Sequence, residues 1–215
     1  MAGSVDYDGW VRVLRTATAR VRAGAEELGR LDAATGDGDH GVAMTRAMAA
    51  IEKGLDECQT RSLKPLLQGV AWSVMSIDAG ATGPLMGSLF LGMVDPVGEA
   101  DQIDTERLAT MFAGGLAKLR AVSKAELGDK TMLDALLPAV DALRAAAAAG
   151  DSPAAALAAA AAAAQTGVEN TKQQVARFGK ARNLGERSLG HQDPGATSIA
   201  LLFRGLADGA ALLET

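Results

Sequence analysis

The sequence predicts an all-α protein: an antiparallel, up-and-down bundle or barrel of eight helices with its ligand site at one rim. Apolar residues recur at helical spacing through most of the 215 residues, and no run has the pattern of a convincing strand. Short connections rich in glycine and proline separate the periodic segments, which favours antiparallel neighbours. Because no linker-like stretch divides a chain of this length, we expect one domain over residues 1–215.

Four helices are expected in the first half of the chain. Apolar residues at every third or fourth position predict one long helix from Tyr7 to Leu31. A second helix is expected over residues 41–57, and a third from Leu63 to Ile77. A Gly-Ala-Thr-Gly-Pro segment at residues 80–84 then precedes a fourth, apolar helix, because proline early in a helix is a start signal.

The next helices are expected from Thr105 to Val122 and from the segment 128–132 onward, with Asp129 as the cap of the second one. The alanine-rich stretch 145–164 is good helix-forming sequence, interrupted by Gly-Asp-Ser-Pro at residues 150–153. A glycine stop followed by a serine cap and a proline start predicts a helical hairpin there.

The second arm of this hairpin is expected to continue to Phe178. Residues 179–195 lack periodicity and predict the longest unstructured segment, and long loops in compact domains are usually functional or mobile. The closing Asp-Pro-Gly of that segment signals the start of the last helix.

Residues 32–41 have the sequence Asp-Ala-Ala-Thr-Gly-Asp-Gly-Asp-His-Gly. Asp32, Asp37 and Asp39 repel one another unless a cation lies between them, and oxygen ligands on a glycine-containing turn suit Mg²⁺ or Ca²⁺. Capping of the following helix would need only one of the three acids. Asp32 falls at the C-terminal end of a helix, where the dipole opposes a negative charge. We therefore expect a metal or phosphate role for this loop.

Two other interpretations of the same loop are excluded. Gly36, Gly38 and Gly41 have the spacing of a dinucleotide fingerprint, but that motif follows a strand and here a helix precedes it. Counting an EF-hand loop from Asp32 or Asp37 puts Ala43 or Met48 where a bidentate glutamate is required.

Three further segments carry polar or glycine-rich chemistry: residues 80–84, 128–131 and 179–195. The first leaves bare backbone N–H groups at a helix start, which suits an anion, although an ordinary glycine turn explains it equally well. Lys130 in the second is a weak phosphate candidate, since its surroundings are not a Walker A loop. Together with residues 32–41, these segments occupy every second connection. In an antiparallel array such connections converge on one rim, a layout suited to a metal-bridged polyphosphate.

Charge and composition exclude other partners. The net charge of −5 and the pI of about 5.1 give no electrostatic footprint for nucleic acid. Cys58 is the single cysteine, so no disulfide framework forms within one chain, and the first residues lack the features of a signal peptide. The most apolar run, residues 79–94, is too short for a membrane helix. We expect a cytoplasmic protein with neither a nucleic acid nor a membrane partner.

Four motifs, in this order, resemble the nucleotide-binding L subunit of dihydroxyacetone kinase. They are the loop 32–41, Gly-Ala-Thr-Gly-Pro-Leu at 80–85, Gly-Asp-Lys-Thr-Met-Leu-Asp at 128–134, and Leu-Gly-Glu-Arg-Ser-Leu-Gly-His-Gln-Asp-Pro-Gly-Ala at 184–196. The resemblance implies an eight-helix antiparallel barrel with ADP and two Mg²⁺ ions at one rim. It implies that Asp32, Asp37 and Asp39 hold the metal.

The resemblance also implies which residues contact the nucleotide. They are His40, Gly41, Val42, Ala43, Ala81, Thr82, Gly128, Leu137, Lys180, Asp193, Pro194 and Gly195. His40 and Lys180 are the catalytic candidates among them. Where this chain has Lys180 the family usually has arginine, so the positive charge is kept but the bidentate fork is lost, and Arg182 is the alternative carrier of that role.

The resemblance implies that the chain carries a phosphoryl group on a tightly bound magnesium nucleotide. The donor would be a phosphohistidine protein of the sugar phosphotransferase system, and the acceptor would be dihydroxyacetone held by a separate kinase subunit. Two alternatives stay open: an ATP-dependent component with exchanging nucleotide acting on this or another short ketose, and a non-catalytic helical regulator that binds nucleotide or metal. The oligomeric state is also open, with a homodimer among the options. A di-iron bundle is disfavoured, because the chain has no Glu-x-x-His pair.

Overall fold

The computed structural model describes residues 3–214, and nearly all of them that have regular structure are helical, as predicted. The α-helices are Tyr7–Ala23 (α1), Ala25–Thr35 (α2), His40–Asp56 (α3), Leu63–Met75 (α4), Thr82–Val97 (α5), Thr105–Val122 (α6), Leu133–Ala149 (α7), Pro153–Asn170 (α8) and Pro194–Ala211 (α9). Two 3-10 helices, Thr171–Gln173 and Lys180–Ser188, lie between α8 and α9. Within the described part of the chain, none of the helices is long and apolar enough to cross a membrane.

Two very short strands were not predicted. Val5–Asp6 (β1) pairs antiparallel with Gln102–Ile103 (β2), with Val5 opposite Ile103. Each strand has two residues, too few to produce an alternating pattern in the sequence. The pair ties the start of the chain to the connection before α6.

The helices close into a ring. From α3 to α9 each helix packs against the next one in the chain, α9 packs against α1, and α1 packs against α3. This ring has eight members, as predicted, and α2 is an additional short helix packed against α3 and α9. Buried apolar side chains fill the interior. There, the ring centroids of Phe112 on α6 and Phe203 on α9 lie 4.9 Å apart.

The single helix predicted from Tyr7 to Leu31 is wrong, because the helix breaks at Gly24. The N–H of Gly24 caps α1 by donating to carbonyls of its last turn, and α2 begins at the next residue. A Cβ at Gly24 would lie 2.6 Å from Leu201 on α9. Gly24 is therefore closely packed at the break, while the apolar periodicity of the sequence runs through it.

The predicted extension of the hairpin's second arm to Phe178 is also wrong. Helix α8 ends at Asn170, and the hydroxyl of Thr171 donates back to the carbonyl of Val168 at 2.6 Å. The following segment, predicted to be unstructured, contains the 3-10 helix Lys180–Ser188, which is kinked at Gly185.

Asp129 does not cap the seventh helix. That helix begins at Leu133, with Met132 at the cap position. Asp129 instead accepts the N–H of Glu126 at 2.8 Å and forms an ion pair with Arg177 at 3.2 Å.

Candidate functional site

A cavity of about 680 Å³ opens at the end of the ring where α3, α5, α7 and α9 begin. All four polar segments singled out in the sequence contribute to its lining: His40 from the first, Ala81, Thr82 and Pro84 from the second, Lys130 and Thr131 from the third, and Gly179, Asp193 and Gly195 from the fourth. The predicted convergence on one rim is therefore confirmed. The volume lies within the range of about 300–1,000 Å³ that is typical of small-molecule sites.

Most of the other residues that line the cavity are apolar, and together they form its apolar wall. The apolar side chains that line it include Met44, Leu85, Met86, Met132, Leu133, Phe178 and Ile199. Such a wall favours a ligand with an apolar part, and the polar residues of the lining favour a ligand that also carries polar or charged groups. The ligand expected from this layout is amphipathic.

Asp32, Asp37 and Asp39 do not line the cavity, but they lie in the segment that leads to His40, which does. One carboxylate oxygen of each lies within 4.8 Å of the others. Asp32 is in the last turn of α2, and Asp37 and Asp39 are in the loop before α3. This loop reverses at Gly38, whose φ of 80° is left-handed and suits glycine. Three carboxylates at this separation match the oxygen-only donor set of a hard divalent cation.

Helix capping does not account for the three acids. Asp39 occupies the cap position of α3 but its side chain makes no capping hydrogen bond. Asp32 accepts the N–H of His40 at 3.2 Å, which satisfies one donor of α3. Asp37 and Asp39 are exposed. Two of the acids are therefore free of a structural role in the helix.

Lys180 is the cation that faces these acids. Its ammonium donates a hydrogen bond to Asp37 and lies 3.7 Å from a carboxylate oxygen of Asp39. The hydrogen bond from Lys180 lowers the pKa of Asp37, and the same bond raises the pKa of Lys180. The 3-10 helix that begins at Lys180 thus reaches across the acid loop.

The ring of His40 lies at the first turn of α3. Its Nε2 is 2.6 Å from the hydroxyl oxygen of Ser198 on α9. Burial lowers the pKa of His40, while the negative charges of Asp32 and Asp39 act in the opposite direction. His40 therefore joins the acid loop to the N-terminal turn of α9.

Asp193 caps the last helix at the cavity wall. Its carboxylate accepts the N–H of Ala196 at 2.7 Å, and the side chain is buried. Burial raises its pKa to about 7, against the lowering effect of the Ala196 hydrogen bond and of the nearby Lys130. The predicted helix start at Asp193 and Pro194 is confirmed.

Lys130 is buried, and it is engaged by the protein itself. Its ammonium donates hydrogen bonds to the carbonyls of Thr171 and His191, and its backbone has a left-handed φ of 60°. Burial lowers its pKa, while Asp193 and Asp134 oppose this. Two of its three N–H donors therefore brace the loop, and the phosphate contact expected of Lys130 stays a prediction.

Asp134 holds the backbone of the same loop. Its carboxylate accepts the N–H groups of Gly128 at 2.7 Å and Thr131 at 2.8 Å, and the side-chain amide of Gln174 at 2.9 Å. These bonds join the start of α7 to the segment after α8, which carries Phe178 of the cavity wall.

Some of the predicted contact residues line the cavity, and others do not. His40, Ala81, Thr82, Asp193 and Gly195 line the cavity, whereas Gly41, Val42, Ala43, Gly128, Leu137, Lys180 and Pro194 do not. Gly41 packs α3 onto α2, where a Cβ would lie 2.1 Å from the carbonyl of Ala25. Leu137 packs against the core. The nucleotide roles of all these residues stay predictions.

Sequence reasoning missed several residues of the lining. Ser198, Met44, Lys124 and Phe178 are the clearest examples. Ser198 had a usable signal, because it lies four residues after Pro194 and so faces the same side of the first turn of α9. The other three had no local signal that separates them from ordinary core or loop residues.

Comparison with known proteins gives a consistent result. Residues 34–208 match the profile of the DAK2 domain. The ADP-binding subunit DhaL of PEP-dependent dihydroxyacetone kinase 1 of Listeria innocua is 36% identical over 201 residues, covering 94% of this chain and 96% of that protein. The corresponding Escherichia coli subunit is 36% identical over 183 residues, covering 85% of this chain and 87% of that protein.

Longer proteins contain a similar part. The L-erythrulose 1-kinase of Mycolicibacterium smegmatis is 35% identical over 92% of this chain, which spans 35% of that enzyme. The crystal structure of the dihydroxyacetone kinase of C. freundii superposes with a TM-score of 0.72 at 29% identity, and this chain covers 34% of it. Its complex with AMP-PNP and Mg²⁺ superposes with a TM-score of 0.70 at 30% identity.

Proposed function

The chain belongs to the DAK2 domain family, and on this premise we propose that it is the ADP-binding subunit of a dihydroxyacetone kinase. The observation that carries the proposal is the cluster of Asp32, Asp37 and Asp39 in the segment that leads to His40, a lining residue of a cavity of about 680 Å³. Three carboxylates suit two Mg²⁺ ions that bridge phosphates, and the apolar wall suits a purine base. We propose that the whole of residues 1–215 acts as one such domain.

Each part of the site has a separate task in this proposal. Asp32, Asp37 and Asp39 hold the metal, and the positive N-terminal end of α5, which begins at Thr82 in the cavity lining, attracts the phosphates. Bound Mg²⁺ would neutralise the phosphate oxygens, which is the main electrostatic requirement of phosphoryl transfer. Lys180 brings positive charge to the same place, and a metal held by the acids would compete with it for Asp37. No residue of this chain has to act as a nucleophile.

We further propose that dihydroxyacetone is held by a partner subunit and that the phosphoryl group comes from a phosphohistidine protein of the phosphotransferase system. Two observations support this. The relatives that this chain covers almost completely are named as subunits of PEP-dependent enzymes. The second observation is a third relative, 88% of which is covered by this chain: it is named as a subunit of a PTS-dependent enzyme. With a single cysteine in the chain, a reducing cytoplasmic location fits the same proposal.

An ATP-dependent component acting on another short ketose is the second candidate. The observation in its favour is the 35–36% identity to parts of kinases named for L- and D-erythrulose. In that case the nucleotide must leave in every cycle, whereas a recharged nucleotide must survive many turnovers in the site.

Reconstitution separates these candidates. The purified chain is desalted, analysed for retained ADP, and combined with a dihydroxyacetone-binding subunit and either phosphoenolpyruvate with the phosphotransferase proteins or ATP alone. We expect retained ADP and ketone phosphorylation only with phosphoenolpyruvate. Fast turnover with ATP alone would instead support the ATP-dependent kinase, whose nucleotide leaves in every cycle. Binding of ADP without any phosphoryl transfer would favour a non-catalytic regulator.

A further inference from the structure

Two short hydrogen-bond contacts in series connect α3 to α9. Nε2 of His40 lies 2.6 Å from Oγ of Ser198, and the same hydroxyl lies 2.8 Å from the carbonyl oxygen of Pro194. Ser198 is 3% exposed, so its hydroxyl is almost surrounded by protein atoms. The carbonyl of Pro194 also faces the His40 ring closely enough to favour its protonated form.

These contacts define where the hydrogens lie. The carbonyl of Pro194 can only accept, so the 2.8 Å contact requires the hydroxyl of Ser198 to donate to it. That hydroxyl has no second hydrogen, so the 2.6 Å contact requires Nε2 of His40 to donate. If Ser198 donated to His40 instead, two oxygens would face each other at 2.8 Å with no hydrogen between them. Nε2 therefore carries a proton in the neutral ring as well as in the charged one.

We propose that Ser198 is a positioning residue that keeps a proton on Nε2 of His40 and leaves Nδ1 as the nitrogen that faces a ligand. His40 is a lining residue of the cavity, and because Nε2 is engaged by Ser198, Nδ1 is the ring nitrogen left to accept a hydrogen bond from a ligand there. The consequence for turnover depends on the proposed function, while the position of the proton does not.

The neighbouring Thr197 is a matched control for this role. It is also buried, its hydroxyl also donates to the carbonyl four residues earlier, that of Asp193 at 2.7 Å, and it accepts a hydrogen bond from Gln192. Its recorded hydrogen bonds do not involve His40. A role limited to packing the first turn of α9 would make substitutions at Thr197 and Ser198 equivalent.

Ring-nitrogen NMR on isotope-labelled protein tests the position of the proton directly. The chain has only two histidines, so His191→Gln identifies the His40 signals. Spectra are taken at about pH 8, above the ordinary histidine pKa of about 6.5, where the ring is neutral. We expect the pattern of an Nε2-protonated ring in the unsubstituted protein, in Ser198→Thr and in Thr197→Ala. In Ser198→Ala we expect a mixture of both tautomers.

Two outcomes would overturn the inference. One is an Nδ1-protonated ring in the unsubstituted protein, and the other is an unchanged Nε2 pattern in Ser198→Ala. Far-ultraviolet circular dichroism of each variant checks that the helical fold is retained.

A kinetic measurement in the reconstituted kinase tests the consequence. Turnover of Ser198→Ala should fall about ten- to hundred-fold with a small change in nucleotide affinity, while Ser198→Thr and Thr197→Ala stay near the unsubstituted rate. Equal turnover in all variants would contradict a positioning role. If neither the unsubstituted protein nor any variant supports phosphoryl transfer, the proposed function fails. The NMR result still decides which ring nitrogen carries the proton.

Discussion

At the scale of single residues, the site holds charge that the ligand-free fold does not need. Asp37 and Asp39 are exposed, they make no capping hydrogen bond, and they face another carboxylate within 4.8 Å. Like charges at this separation disfavour one another, and Lys180 offsets only part of the repulsion because exposed ion pairs contribute little. A binding role explains why such acids stand together. The sequence alone predicted this cluster, because all three acids lie within eight residues of each other.

Replacing Asp37 by Asn should remove ligand binding and leave the fold intact. The substitution removes one repulsive charge together with an exposed ion pair, so the melting temperature of the ligand-free protein should change little. The rise in melting temperature on adding ADP and Mg²⁺ should disappear, since binding to the native state alone produces that rise. Asp101→Asn, at an exposed acid outside the cavity lining, is the control and should keep the full rise. An unchanged ligand effect in Asp37→Asn would show that Asp37 does not hold metal.

Asp193 makes stability depend on pH. Burial raises its folded-state pKa from the ordinary 3.8 to about 7, so the folded state binds more protons than the unfolded state between these values. Stability should therefore fall as the pH rises from about 4 to about 7, by at most about 1.4 kcal/mol per pH unit. Asp193→Asn keeps an amide oxygen that can cap α9 and removes the titration. Urea unfolding at several pH values should show this slope in the difference between the two proteins, and a flat difference would contradict the shifted pKa.

At the scale of helices, most elements followed from local sequence, and the exceptions lie where the apolar pattern continues past the end of a helix. Helix α6 has the predicted bounds, Thr105–Val122, because its apolar positions and its cap at Asp104 are local. The break at Gly24 was missed because the apolar periodicity continues through it from α1 into α2. The end of α8 at Asn170 was missed because Val175 and Phe178 continue the apolar pattern outside the helix.

Glycine at helix crossings should be sensitive to a single added carbon. A Cβ at Gly167 of α8 would lie 2.0 Å from the carbonyl of Asp134 on α7, so Gly167→Ala should destabilise the protein by about 1–3 kcal/mol or more. At Gly69 of α4 the nearest atom would lie at an ordinary 3.7 Å, so Gly69→Ala should stabilise by about 0.5–1 kcal/mol. Urea unfolding of both variants measures the difference. Equal effects of the same sign would argue against close packing of α7 and α8.

The segment from Lys180 to Ser188 should become protected when ligand binds. It is exposed over most of its length and contains Lys180, Arg182 and Arg187, which are trypsin sites beside the acid loop. ADP with Mg²⁺ should slow cutting there, because closure over the phosphates excludes water and orders the segment. Cutting after Arg61, in the connection between α3 and α4 at the other end of the ring, is an internal control and should not change. Equal rates in Lys180–Ser188 with and without ligand would exclude closure.

At the scale of the whole molecule, the alternation of connections predicted the most important feature of the site. The four polar segments, residues 32–41, 80–84, 128–131 and 179–195, lie in every second connection. Each of them contributes residues to the lining of the same cavity. The apolar wall could not be predicted, because Met44, Phe178 and Ile199 look like core positions until the ring is closed. The hydrogen bond between His40 and Ser198 was equally out of reach, since 158 positions separate the two residues.

A crystal structure of the chain grown with ADP and Mg²⁺ tests the central claim most directly. We expect metal between the carboxylates of Asp32, Asp37 and Asp39, the phosphates beside the start of α5, and the base against the apolar wall of the cavity. Lys180 should have left Asp37. Nucleotide bound away from this rim, or nucleotide in the cavity with no metal at the three acids, would contradict the account.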